Sequence, residues 1–404
     1  MKTKTLLLSV LISLFCGNLF SQEEGTIIYI DFEPDSVIYP IDIEYIDKNR
    51  NWFTGQNLWK METYKNMDMM SSLADEVTLV RKGKIFGLQK KNGIFKSIIE
   101  TIDVAFPIVH GKGVEDGSLS GYLELLGIPY VGPSMLGASI GQDKVVQKLV
   151  LKASGVPVAD FEWFYDNEYL DNQEEVLRKI SRLGYPCIVK PARLGSSVGI
   201  TVAHDESEIK ASIEEAIKYD EKICVEAMIK NLLEVDCAVL GNSKEMECSL
   251  IGEMITDNDF LTFEDKYIGE GSKKNGAKSG AKSSGALHTS GFNIPANIDK
   301  QIEEDIYKYS KEAFRALNLS GVTRFDFLVD KETKQVYVNE PNTIPGCLAF
   351  FFFTPKGKTY TDLLDELIRG AVKEYKDAQK KVTTFESNVL STYNGSKGSK
   401  AKMM

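Results

Sequence analysis

The chain has 404 residues, of which 43% are hydrophobic, and its formal net charge at pH 7 is −10. A chain of this length is too large for one simple core, so we expect two or three domains. The acidic balance argues against a nucleic-acid-binding protein, because such a surface needs a basic stripe that meets the phosphates. A small-molecule partner fits this composition better.

The N-terminal segment has the pattern of a secretory signal. Lys2 and Lys4 precede an apolar stretch, Thr5 to Phe20, that ends in small and polar residues. This stretch is short for a membrane span. The alternative is a buried first strand of an α/β domain, but the stretch is longer than a typical strand, and we favour the signal-like interpretation.

The rest of the chain divides by its pattern into three regions. Short apolar strands alternate with helical stretches in the first, which indicates an open α/β layer, and a compact α+β unit follows. We predict a signal-like segment at 1–24, an α/β domain at 25–131, a central unit at 132–234, a C-terminal unit at 235–380 and a disordered tail at 381–404. Helices are predicted at 139–153, 172–183, 206–219, 300–317 and 360–376.

Within the C-terminal unit, residues 269–291 are rich in Gly, Ser and Lys and have almost no apolar side chains. Such a segment cannot form packed core, so we predict a mobile loop. Six cysteines, at 16, 187, 224, 237, 248 and 347, form no Cys-x-x-Cys pair. Their apolar surroundings favour buried free thiols over disulfides or zinc.

The segment RFDFLVDKETKQVYVNEPN predicts a β-hairpin with strands at Phe325 to Val329 and Val336 to Glu340. Its turn places Asp326 opposite Glu340. Period-two alternation predicts one shared face for Asp326, Leu328, Val338, Glu340 and Asn342. Like charges across a hairpin repel, so a bound cation would stabilise this face.

Carboxylate and amide oxygens without histidine or thiolate suit a hard ion such as Mg²⁺. The hairpin therefore predicts Asp326, Glu340 and Asn342 as metal ligands, with Arg324 placed to hold a transferring phosphoryl group. A solvated hairpin whose charges point outward is the alternative.

A second phosphate-binding feature is YPCIVKPARLGSSVGITV, in which a short apolar strand ends at Lys190 and a Gly/Ser turn follows. Backbone N–H groups and hydroxyls in such a turn bind phosphate, although the turn alone could simply reverse the chain. It is neither a Walker loop nor a Rossmann fingerprint. Of the histidines, only His110, at the end of an apolar strand, lies where a substrate could bind.

Seven segments in order resemble the D-alanine:D-alanine ligase family of the ATP-grasp superfamily: HGKGVEDGSLSGYLELLGIPYVG, GQDK, KPARLGSSVG, EVDCAVLG, DKYIGEGS, TRFDF and NEPNTIPG. The resemblance covers roughly residues 37–371 and implies an ATP-grasp fold of three domains. The N-terminal domain would be the substrate domain, the central and C-terminal units would be the two ATP-grasp subdomains, and 269–291 would be the lid. The family's first strand, glycine-rich turn and substrate-binding glutamate are not recognisable, so the first domain is expected to be truncated there; Glu33 is only a candidate substitute for that glutamate.

The resemblance implies a role for each matching residue. ATP would be bound by Lys144, Lys190, Ser197, Glu226, Glu234 and Lys266; two Mg²⁺ ions, or Mn²⁺, by Asp326, Glu340 and Asn342; and the substrates by Arg324, Ser196, Tyr267, Gly346 and His110. ATP would phosphorylate the carboxylate of one D-alanine, and the amine of a second would displace phosphate, supplying peptidoglycan precursors.

ATP use implies a cytoplasmic enzyme with D-alanine and ATP as its partners; we also expect no stable membrane span, and a homodimer is one candidate assembly. The signal-like start instead argues for export. Two alternatives therefore remain: a degenerate, exported ATP-grasp binding protein, and an ATP-grasp ligase that joins other amino acids.

Overall fold

The computed structural model describes residues 6–9, 41–42, 44–47, 49–60, 63–64, 69–92, 97–195, 197–254 and 292–382. The predicted lid at 269–291, nearly all of the tail, and most of the signal-like segment lie outside these ranges. So do four candidate site residues: Glu33, Ser196, Lys266 and Tyr267.

Part of the predicted signal-like segment is a β-strand. Strands β1 (Leu6–Ser9), β2 (Ile41–Asp42) and β8 (Ala105–Pro107) form a parallel sheet in the order β2–β1–β8. These four residues of β1 therefore follow the alternative interpretation, a first strand of an α/β domain. The expectation that this domain lacks its first strand has no support, because β1 pairs on both sides.

A five-stranded antiparallel sheet, which the sequence analysis did not predict, lies beside the parallel sheet. Its strands, in the order β3–β4–β5–β6–β7, are β3 (Glu44–Ile46), β4 (Trp52–Thr54), β5 (Asp75–Lys82), β6 (Ile85–Lys90) and β7 (Ile98–Thr101). The named helices among the described residues of this region are a 3-10 helix (Gln56–Trp59), α1 (Met70–Leu73) and α2 (Ser118–Leu126). Val77 and Leu88 of the sheet share a core with Leu119 and Leu123 of α2.

The central region contains one antiparallel sheet in the order β11–β10–β12–β9. Its elements are α3 (Met135–Gln142), α4 (Lys144–Ala153), β9 (Phe161–Tyr165), α5 (Asp166–Asp171), α6 (Gln173–Ile180), a 3-10 helix (Ser181–Leu183), β10 (Cys187–Pro191), β11 (Thr201–Ala203), α7 (Ile209–Ile217) and β12 (Lys222–Ala227). Val189 and Val225 pack against α6 and α7. By alternation, Lys190 and Glu226 lie on the opposite face.

The helix predicted at 139–153 is two helices, because Asp143 ends α3 and caps α4. The Asp143 carboxylate accepts hydrogen bonds from the backbone N–H groups of Val145 and Val146, each at 3.0 Å. This is a standard N-cap interaction that satisfies otherwise unpaired amides in the first turn. The other predicted helices are confirmed to within a few residues at each end.

The C-terminal region contains an antiparallel sheet in the order β15–β14–β13–β16–β17. Its elements are β13 (Leu232–Gly241), β14 (Met246–Met254), β15 (Phe292–Asn293), α8 (Lys300–Ala316), β16 (Gly321–Asp330), β17 (Val336–Asn342), 3-10 helices (Gly346–Phe352 and Thr354–Lys356) and α9 (Tyr360–Gln379). Helix α8 packs its Phe314 against Phe325 and Phe327 of β16. Helix α9 packs on the opposite face of the sheet, against Val322 near the start of β16.

The prediction of free thiols is confirmed for the cysteines within the described ranges, which are 187, 224, 237, 248 and 347. Burial raises the pKa of Cys187 to about 11, and burial together with the neighbouring Glu226 raises that of Cys224 to about 12. Both thiols are therefore neutral at physiological pH. None of the described helices is both long and apolar enough to cross a membrane.

Candidate active site

The predicted hairpin is formed by β16 and β17, and the predicted pairing of Asp326 with Glu340 is confirmed. Asp326 pairs with Glu340, and Arg324 pairs with Asn342. One part of the prediction is wrong: a bulge at Asn339 shifts the register, so Val338 pairs with Phe327 on the core face. A bulge reverses the alternation beyond it, and strict period two therefore failed at this one position.

Two cations neutralise the facing carboxylates. Arg324 donates from Nε to Asp326 Oδ1 at 2.7 Å and from Nη2 to Oδ2 at 3.1 Å. Lys144 Nζ lies 3.0 Å from Glu340 Oε2. The Asp326 and Glu340 side chains are only 16% and 25% exposed, so the alternative of a solvated, outward-pointing hairpin is not supported.

Asp236 is a site residue that the sequence analysis missed. It lies on β13 directly opposite Asp326, is 1% exposed, and its Oδ2 lies 3.1 Å from Arg324 Nε. Arg324 is thus held between two carboxylates from different strands. The signal was present in EVDCAVLG, because the alternation that buries Val235 and Cys237 in the core places Asp236 on the other face.

The residues at this hairpin fit a magnesium site. Mg²⁺ takes one or two protein carboxylates and completes its shell with water and substrate phosphate. Asp326, Glu340 and Asn342 supply such a partial set on one face of the hairpin. The buried Nδ2 of Asn342 has no hydrogen-bond partner among the described residues; as an N–H donor it suits a phosphate oxygen, whereas Oδ1 is the atom that suits the metal. Within the described ranges, no three His, Cys, Asp or Glu side chains form a closed metal site.

Lys144 is fixed at the start of α4. Its backbone N–H donates to Ala192 O at 2.8 Å, and its Nζ donates to Leu194 O at 2.8 Å. Both acceptors follow β10, so this lysine ties the helix to the start of the Gly/Ser turn. Since Nζ also contacts Glu340, it bridges the central and C-terminal sheets.

Lys190 and Glu226 form a buried ion pair on the face of the central sheet that is opposite α6 and α7. Lys190 Nζ lies 3.0 Å from Glu226 Oε2 and donates to Asn339 Oδ1 at 3.4 Å. Burial alone would lower the pKa of Lys190, but the carboxylates of Glu226 and Glu340 raise it above its usual value. Burial would likewise raise the pKa of Glu226, but Lys148 and Lys190 lower it. Both groups are therefore charged at neutral pH.

Lys148 is the second residue that the sequence analysis missed. Its Nζ lies 3.3 Å from Glu226 Oε2 and donates to the Asn339 carbonyl at 3.0 Å. The spacing from Lys144 was an available signal, since residues four apart share one face of a helix.

The Gly/Ser turn after β10 requires left-handed backbone. Ser197 has φ +58° and Gly199 has φ +69°. A Cβ at Gly199 would lie 2.6 Å from Tyr219 Cδ2 and 2.9 Å from Pro191 Cγ, so this position is closed to larger residues. The turn thus lies beside Lys144 and Lys190, at the edge of the same site.

The remaining described candidates lie around this centre. Glu234 is paired in register with Leu328 on the Asp326 face of the sheet. Gly346 begins the 3-10 helix that follows β17, four residues after Asn342. His110 follows β8, is 43% exposed, and lies 3.4 Å from Glu115.

A site between two β-sheets, with lysines on one side and carboxylates on the other, is typical of ATP-grasp enzymes. The family described as D-ala D-ala ligase C-terminus matches residues 150–369, and D-ala D-ala ligase N-terminus matches residues 22–133. The chain is 36% identical over 351 residues to the D-alanine–D-alanine ligase of Thermosipho melanesiensis, covering 86% of this chain and 88% of that protein. It is 38% identical over 320 residues to the ligase of Acetivibrio thermocellus, covering 77% and 79%.

Solved structures show the same fold. The D-alanine-D-alanine ligase from Coxiella burnetii superposes with a TM-score of 0.66 at 27% identity, covering 84% of this chain and 87% of that one. The VanG D-Ala:D-Ser ligase from Enterococcus faecalis has a TM-score of 0.66 at 28% identity, covering 82% and 90%. The protein belongs to the D-alanine–D-alanine ligase family.

Proposed function

We propose that this protein joins two D-alanine molecules in an ATP-dependent reaction that supplies peptidoglycan precursors. The observation that carries the proposal is that Lys144 contacts Glu340 and Lys190 contacts the neighbouring Asn339, on the strand that pairs Glu340 with Asp326. Cations on one side suit the phosphates, and carboxylates on the other suit a metal ion that bridges them.

The nucleotide would lie between the central and C-terminal sheets. Its phosphates would contact Lys144, Lys190 and the turn at Ser197, and Lys266 would contribute from outside the described residues. Glu226 and its strand would meet the adenine, and Glu234 would hold the ribose hydroxyls. These lysines are buried, so water screens their attraction for phosphate only weakly, which supports this arrangement.

Two magnesium ions, or manganese, bound to Asp326, Glu340 and Asn342 would neutralise the transferring phosphoryl group. Lys144 pairs with Glu340, and Arg324 pairs with Asp326, so these two cations hold the carboxylates in place before any ligand binds.

The reaction would proceed by two displacements. A carboxylate oxygen of the first D-alanine attacks the γ-phosphorus, ADP leaves, and an acyl phosphate forms. The amine of the second D-alanine then attacks the acyl carbon, and inorganic phosphate leaves as the amine loses a proton. Arg324 and the backbone N–H of Gly346 would stabilise the tetrahedral oxyanion, while Ser196, Tyr267 and His110 would position the substrates.

The test is phosphate release by the purified protein with ATP, magnesium and a panel of amino acids. We expect ADP, phosphate and D-alanyl-D-alanine in equal amounts. D-serine as the second substrate is included because one structural relative is a D-Ala:D-Ser ligase. A folded, ADP-binding preparation that releases no phosphate with D-alanine would refute the proposed substrate pair.

We also propose that the protein forms a homodimer through α2 and α3. Leu125 is 82% exposed, and Leu136 and Met135 are 56% and 48% exposed on the adjoining helix. An apolar patch shared by two neighbouring helices is typical of an interface between copies. Sedimentation equilibrium of the wild type and of Leu125→Lys tests this, since the variant should shift to monomer; a monomeric wild type would refute it.

We also propose a cytoplasmic location, because the proposed reaction uses ATP. Fractionation of the native host, followed by N-terminal sequencing of the purified protein, tests this. A mature protein recovered only outside the cytoplasm would contradict it and would favour the exported alternative.

A further inference from the structure

Lys148 carries a charge in a place where charge is costly. It lies on α4, one helical turn after Lys144, and its exposed fraction is 0%. Burying an ammonium group is unfavourable unless it is closely paired, and an apolar residue of similar volume is often as stable. Folding stability alone therefore does not explain a lysine at position 148.

The contacts of Lys148 duplicate those of Lys190. Both ammonium groups lie against the same oxygen, Oε2 of Glu226, at 3.3 Å and 3.0 Å. Both also contact Asn339, Lys148 through the backbone carbonyl and Lys190 through the side-chain oxygen. Two lysines thus share one carboxylate and one bulged residue.

This sharing sets the charge that faces the phosphates. Lys144, Lys148 and Lys190 are linked by ion pairs to Glu226 and Glu340, which leaves one positive charge in excess among these five side chains. Without Lys148 the remaining four would be balanced, and Glu226 would be neutralised by Lys190 alone. In a low-dielectric site, the loss of one positive charge strongly weakens the attraction for phosphate.

We propose that Lys148 is a positioning residue that neutralises Glu226, so that Lys190 remains available to the nucleotide phosphates. It also holds the Asn339 carbonyl, and thereby the bulge that directs Glu340 toward the site. Because it is fully buried, Lys148 acts through these neighbours and does not touch the nucleotide. This inference rests on the proposed nucleotide site.

The experiment measures ADP binding in the presence of Mg²⁺ by calorimetry, together with thermal unfolding of each ligand-free protein. The variants are Lys148→Met, the double variant Lys148→Met/Glu226→Gln, and Glu226→Gln. Lys152→Met is the matched control, since Lys152 lies on the same helix but is exposed. We expect the Kd for ADP to rise about tenfold in Lys148→Met and to stay within about twofold of wild type in the control.

The double variant separates positioning from packing. Removing the Glu226 charge restores the excess positive charge, so the double variant should bind ADP more tightly than Lys148→Met does. Equal ADP affinity for wild type and a folded Lys148→Met, or no recovery in the double variant, would overturn the proposal. If Lys148→Met does not fold, the double variant is compared with Glu226→Gln: the two should bind ADP with equal affinity, because Lys148 has no charge to neutralise once Glu226 is glutamine, and a further loss of about tenfold in the double variant would overturn the proposal.

The outcome for the wild type distinguishes this inference from the proposed function. A wild-type protein that binds no ADP would refute the nucleotide site itself. One that binds ADP but releases no phosphate with D-alanine would refute only the substrate pair and would leave the role of Lys148 intact.

Discussion

Replacing Glu340 with glutamine tests the hairpin site most directly, because stability and activity should respond differently. The substitution removes a carboxylate that pairs in register with Asp326 and lies 3.0 Å from Lys144. Relief of the cross-strand repulsion is worth about 0.2–1 kcal/mol. Loss of the partly screened ion pair with Lys144 costs about 1 kcal/mol. The two effects nearly cancel, so we expect the free energy of unfolding to change by less than about 1 kcal/mol.

The activity should fall much further. If Glu340 holds a metal ion against the transferring phosphoryl group, its loss removes about 3–4 kcal/mol of transition-state stabilisation, or about 10²–10³ in kcat/KM. The Mg²⁺ concentration for half-maximal phosphate release should also rise. The assays are urea unfolding of the ligand-free protein and coupled phosphate release at a series of Mg²⁺ concentrations.

A matched control lies in the same hairpin. Glu332 is exposed in the turn and accepts a hydrogen bond from Asn231 at 3.0 Å. Glu332→Gln should change neither stability nor activity appreciably. If Glu340→Gln retains activity within about threefold, the metal assignment is wrong. If it lowers the unfolding free energy by more than about 3 kcal/mol, Glu340 is chiefly structural.

Three further predictions follow from the site. Asp236→Asn should lower kcat by about 5- to 30-fold with the KM for ATP nearly unchanged, because Arg324 loses one of its two carboxylates; steady-state kinetics checks this. His110 should titrate above 6.5 in NMR spectra, because the hydrogen bond and charge of Glu115 raise its pKa despite its partial burial. Glu115→Gln should lower that pKa. Gly199→Ala should destabilise the protein by about 1–3 kcal/mol, since alanine tolerates its φ of +69° poorly and its methyl meets neighbouring side chains; thermal unfolding checks this.

The sign of the His110 effect fixes the pH window. The pKa of His110 is higher in the folded than in the unfolded state, so the His110–Glu115 interaction stabilises the folded protein fully below about pH 6.5. This stabilisation is lost as the pH rises through the folded-state pKa. Stability of Glu115→Gln should therefore converge with that of wild type at alkaline pH. A wild-type His110 that titrates at or below 6.5 would contradict this, as would an Asp236→Asn variant that raises only the KM for ATP.

Local periodicity determined the hairpin. Alternating side chains around a short polar turn predict the two strands and the burial of Phe325 and Phe327, although it is the bulge at Asn339 that brings Asp326 opposite Glu340. The ordered motifs in the same sequence indicated the family, which the comparisons confirmed. For the hairpin strands the information lies within a few residues, whereas for the family it lies in the order of seven short segments along the chain.

Only the tertiary structure decided which charges meet. Lys148 and Asn339 are 191 residues apart, and no local pattern shows that α4 lies against the bulge of β17. The bulge itself depends on how β17 packs, so strict alternation misplaced Val338. Asp236 reaches Arg324 only because β13 pairs with β16. Periodicity fixes the face on which a side chain lies, whereas the packing of distant elements decides what that face meets.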